Sequence, residues 1–151
     1  MSMINPPHTY SEWTKIIDIF ISKTDDEEVL NAMKQGSIEW QSGVAERFAR
    51  SLIDAVNARM NSATDKFQKE ITRSAGQERE IVRALISLRR EMKFLAEAVD
   101  IPAIPADDRG RYRQLVLDQA DAIQRSLEDS AKNDRSGKMS SIIRNNKVNA
   151  F

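Results

Sequence analysis

Carboxylates that are adjacent or three apart can share a metal ion or divide acid and base roles between them. Three such groups stand out: Asp25-Asp26-Glu27-Glu28, Asp107-Asp108, and Asp118 with Asp121. Each falls in the first turn of a helical pattern or on its polar face, where charge is solvated and an acidic first turn complements the helix dipole. None has the Glu-x-x-His spacing of a di-iron helix pair. His8 is the single histidine and cysteine is absent. A conventional zinc or haem site within one chain, a disulfide framework and a thiolate nucleophile are therefore all excluded. No G-x-S-x-G, glycine-rich phosphate loop or Ser/His/Asp arrangement is present. The expectation is a protein without catalytic, cofactor-binding or metal-binding residues and without a small-molecule substrate.

Basic side chains are the next candidates. Arg79, Arg83 and Arg90 fall on one helical line, Arg89 and Lys93 lie on a neighbouring one, and Arg109, Arg111 and Arg113 surround Tyr112 in the segment RGRYR. Guanidinium groups contact phosphates and stack on bases, so these residues are candidate nucleic-acid contacts. The competing explanation is that charges flank an apolar seam as a matter of course, with Glu78, Glu80, Glu91 and Glu97 as partners. A third set lies in the basic C-terminal stretch, where Ile142, Ile143, Arg144, Lys147, Val148 and Phe151 could anchor in a partner's groove or fold back on the chain's own helices.

These residues must be positioned by helices. The chain has 151 residues, 40% hydrophobic and 30% charged, with 23 basic residues balanced by 23 acidic ones. That profile favours one helix-rich domain over a disordered chain, and near-zero net charge argues against a protein devoted wholly to nucleic acid or an anionic membrane. No stretch approaches the roughly 18 apolar residues of a membrane span and the N-terminus lacks a signal-peptide pattern, so a cytoplasmic location is expected.

Thr9 and Glu12 form a capping box for a helix over about 10–22, and Thr24 with Glu27 suggests a second that Gly36 ends. In the segment 37–43, Trp40 reads as an anchor and Ser42 as a cap. Phe48, Leu52, Ile53, Val56, Met60, Ala63, Phe67 and Ile71 then make one stripe. Ile81, Leu85, Leu88, Met92, Leu95 and Val99 make a second, more regular one, stepping by four and three. Prolines in Ile101–Pro105 break that helix, and another is expected over about 107–132.

Gly76 decides between rod and bundle. The three-four phase can be counted through it, but the seam turns polar at Ser74 and Glu78. Lys69 and Arg73 suit a helix C-terminus, whereas Glu78 and Glu80 suit a new N-terminus. The reading is an all-α bundle: a long antiparallel hairpin (about 44–73 and 78–99), a third long helix (about 107–132) and two short N-terminal helices. Residues 1–134 form the helical domain and 135–151 a tail or strap. Functionally this points to a non-catalytic interaction or scaffold protein, a small subunit or homo-oligomer with a protein partner or self-association. The alternative is an accessory nucleic-acid-binding protein of the mobile-element or defence-system type.

Overall fold

The Thr9 side chain accepts a hydrogen bond from the Glu12 N–H (3.1 Å), and Glu12 reaches back to the Thr9 N–H (3.1 Å), so the first helix, α1 (Tyr10–Ser22), starts where the capping box places it. The structure, a computed structural model, describes residues 4–38 and 44–151, and Trp40 and Ser42 lie outside the described residues. Among the described residues five more helices follow: α2 (Asp26–Gln35), α3 (Val44–Ser74), α4 (Glu78–Val99), α5 (Ala106–Ala131) and α6 (Lys138–Asn145). The fold is an all-α helical bundle.

Two helix ends differ from their sequence reading. Thr24 does not cap α2: its hydroxyl is bonded to Ser22 Oγ (2.9 Å), and Asp25, left-handed at φ 56°, takes the N-cap position through its carbonyl. The link from α1 is only three residues long, and both Lys23 (φ 60°) and Asp25 must turn left-handed to reverse the chain, which leaves Thr24 facing α1 instead of the α2 amides. Gly36 does end α2, but in an extended conformation (φ −77°). A Cβ there would meet Trp13 Cζ2 at 2.8 Å and the Pro7 carbonyl oxygen at 2.9 Å, so the glycine is required by close approach.

Gly76 breaks the helix. Ala75 (φ 49°) and Gly76 (φ 82°) are both left-handed, and the Gln77 N–H closes the turn on the Ser74 carbonyl (3.0 Å). The turn thus uses two left-handed residues where the sequence signals one.

The chain divides into two compact units. Unit 1 comprises Met1–Arg59 with Ala96–Arg113, and unit 2 comprises Met60–Leu95 with Gln114–Phe151. In unit 1, Trp13 stacks at a tilt on Phe48 (centroids 4.5 Å, 56°) and donates its indole N–H to the Ser37 carbonyl (2.7 Å). Ile101, Ala103 and Ile104 of the proline-flanked loop are as buried as any helix residue. In unit 2, Phe67, Ile81, Leu85 and Leu88 form one apolar cluster with Ala131 and with Ile142, Ile143 and Val148 from the C-terminal segment. Every member of the regular stripe from Ile81 to Val99 is buried.

Candidate functional site

Of the C-terminal candidates, Ile142, Ile143 and Val148 are buried in unit 2's own core, whereas Arg144, Lys147 and Phe151 are exposed. The segment is held by an amide, by carboxylates and by one exposed ion pair. Gln124, itself buried, accepts from the Val148 N–H (3.0 Å), and Asn149 donates to Asp121 (2.8 Å). Asp134 accepts from the Met139 N–H (3.0 Å) and from the Ser136 hydroxyl, and these bonds, led by the one from Met139, hold its carboxyl below the usual range. Its neighbour Lys138 pairs with Glu78 on α4 (3.6 Å).

On α4, Arg79, Arg83, Arg90 and Lys93 are all exposed and Arg89 is half-buried. Arg83 reaches Glu80 (3.6 Å), a pair 71% and 44% exposed that contributes little to stability. The structure therefore places four of these five cations in water along one face of unit 2. Arg109, Arg111 and Arg113 belong to unit 1 instead. Arg111 bonds Asp108 (2.9 Å) and lies over the Tyr112 ring (5.3 Å), Arg113 is exposed, and Arg109 keeps a buried Nε without a hydrogen-bond partner.

The most prominent buried charge was not singled out from the sequence. Arg59 is 2% exposed and grips Asp26 with two bonds (3.0 and 2.9 Å), donates to the Phe20 carbonyl (3.1 Å) and lies over the Phe20 ring (4.8 Å). One guanidinium thus joins the end of α1, the start of α2 and the middle of α3. Its signal was in the stripe: Leu52, Val56, Arg59 and Ala63 step by four, three and four, which puts a cation in line with core residues. Gln124 carries the same kind of signal on α5, four residues from Ala120.

Among the described residues, no group of three or more His, Cys, Asp or Glu side chains is arranged to hold a metal ion, and no helix is long and apolar enough to cross a membrane. What unit 2 does offer is a groove of about 600 Å³ between α3 and α5, closed at one end by α6. Phe67, Ala131 and Ile143 lie beneath it, and the part-buried Ile71, Ile123, Leu127 and Met139 form its accessible floor. Thr64, Gln68 and Thr72 edge it from α3, and Gln119, Ala122, Ser126 and Ser130 edge it from α5. None of the fourteen residues lining it is ionisable, in a chain that is 30% charged. Two other depressions differ: the one lined by Lys66, Glu70, Arg73, Glu80 and Arg83 is charged of both signs, and unit 1's cleft between α1 and α3 carries Asp18 and Asp54.

A groove with an apolar floor and an uncharged rim matches the centre of protein interfaces, where charge is depleted. Its rims suit an apolar ridge of a helix: Gln119 to Ser130 spans roughly 16 Å at 1.5 Å per residue, about three turns. It has no converging acids or bases to act on a bound molecule. Sequence reasoning missed it, although the run of uncharged residues at three-four spacing on α5 was visible. The chain matches no protein-family model, and comparison with curated proteins and with solved structures finds no match.

Proposed function

We propose that this is a non-catalytic helical interaction protein whose working surface is the uncharged groove between α3 and α5 of unit 2. The observation that carries the reading is the pairing of a solvent-accessible aliphatic floor with rims free of ionisable groups. Exposing such a floor to water is unfavourable, and covering it with a helix ridge recovers that free energy without stranding any charge. The test is a photoreactive phenylalanine analogue at Ser126, irradiated in extract of the native host. The expected result is a discrete protein adduct that Ala122→Glu abolishes and that the same probe at exposed Asp65, outside the groove, does not give. Absence of any Ser126-specific adduct would overturn the reading.

A second reading rests on the exposed cations of α4. Arg79, Arg83, Arg90 and Lys93 on one face suit a phosphate backbone. Phosphate-dominated binding weakens steeply with salt, so gel shifts at two ionic strengths, repeated with Arg83→Glu, decide it. Binding unaffected by salt or by the substitution removes this surface.

A further inference from the structure

Building on the groove reading above, we infer that the occupant of the groove is a second copy of this chain, paired through α5 in antiparallel orientation about a two-fold axis. The first argument is charge. A two-fold interface sets a surface against itself, so ionisable groups at its centre face their own kind. Unit 1's cleft, with Asp18 and Asp54, would repel its own copy, whereas unit 2's groove contains nothing that repels itself, and equal numbers of acidic and basic residues leave no net repulsion between copies.

The second argument is shape along one helix. Among the described residues Leu115 is one of the few large apolar side chains left in water, 39% exposed. It stands on the same line of α5 as Gln119, Ala122, Ser126 and Ser130, which recur after it at steps of four, three, four and four. It is not part of its own groove, so α5 carries a knob at one end and a hollow at the other, about 22 Å apart. Antiparallel pairing centred between Ala122 and Ile123 sets Leu115 of each copy over Ser130 and the Leu127–Met139 floor of the other. At that centre the rim residue is Ala122, small enough for two helix backbones to approach. Residue i meets j and j meets i, so the contact closes at two copies.

The third argument is the flank. Asp118 and Arg125, both exposed, lie seven residues apart on the outer side of this line. Like flanks meet in an antiparallel pair, and the register set by Leu115 brings Asp118 to within about 3 Å, along the axis, of the level of the partner's Arg125. Each copy thus offers one acid and one base to the complementary pair on the other. The register was fixed by apolar residues alone, yet the charges agree with it.

Sedimentation of the full chain from about 1 to about 300 μM tests this. The expected result is a monomer–dimer equilibrium. Leu115→Glu and Ala122→Glu each weaken it at least tenfold, and Asp118→Arg weakens it severalfold. Adding Arg125→Asp to Asp118→Arg restores it. All four positions are exposed, so unchanged circular dichroism shows that the fold survives. A chain monomeric throughout, a dimer indifferent to Leu115→Glu and Ala122→Glu, or a double swap no better than Asp118→Arg alone overturns the inference. So does a Ser126 adduct with a different protein, which leaves the interaction reading standing. Loss of every Ser126-specific adduct removes both.

Discussion

The two units fasten their segments in opposite ways. Unit 1 ties α1, α2 and α3 together with a buried guanidinium and leaves no room for a Cβ at Gly36 beside Trp13 and Pro7. Unit 2 fastens its C-terminal segment with an uncharged amide, aliphatic side chains and a half-buried carboxylate. The lesson is about concentration of risk. Where a cation is buried, much of the local stability rests on one partnership, whereas a segment held by aliphatic contacts and several separate hydrogen bonds loses ground in small steps.

Breaking the ion pair should have the largest effect. Asp26→Ala is expected to destabilise by about 3 kcal/mol, the low end for a broken buried pair because Asp26 is 37% exposed, as read by urea unfolding. Arg59→Met fills the space without a charge and should cost less; the reverse order would contradict this account of unit 1. Gly36→Ala comes next, at about 1–3 kcal/mol, because the new methyl meets a backbone oxygen that cannot move aside cheaply. In unit 2, Gln124→Leu leaves the Val148 N–H buried without an acceptor and should cost about 1–2 kcal/mol, with hydrogen exchange accelerated first in α6.

Acid should sharpen the contrast with the smallest effect. The Asp134 carboxyl is held below its ordinary value by its bonds from Met139 and Ser136, so its contribution is present at neutral pH. That contribution is lost as pH falls from the ordinary carboxylate value, about 4, through the lowered one. Protection of the α6 amides should fall over that window, and Asp134→Asn should flatten the response. Glu12 is lowered in the same direction, first by the His8 N–H and then by Thr9, so the cap of α1 should loosen in the same window.

Most helix positions were legible because the chain signals them redundantly. The stripe from Ile81 to Val99 is apolar at each step, and charge, capping chemistry and Gly76 all agree at the hairpin turn. Thr24 misled because a capping box is a local signal, and the three-residue link from α1 overrode it. Helix α6 carries little sequence signal because it is eight residues long and begins after Gly137, which offers no side-chain cap. Ile101 and Ile104 read as loop residues because prolines flank them, yet both are fully buried. The groove was the hardest to see. It is defined by charges that are missing on two helices far apart in the chain, and reading single helices registers only charges that are present.

The buried linker also bears on how this chain can change by insertion. Residues added between α3 and α4 would leave from a turn where a Cβ at Gly76 meets nothing within 4 Å. Residues added between α4 and α5 would enter a link in which Ile101, Ala103 and Ile104 are buried in unit 1 and alternate with exposed Asp100, Pro102 and Pro105. The turn at Gly76 is therefore the less constrained of these two links for an insertion, a tag or a sensor grafted into this chain.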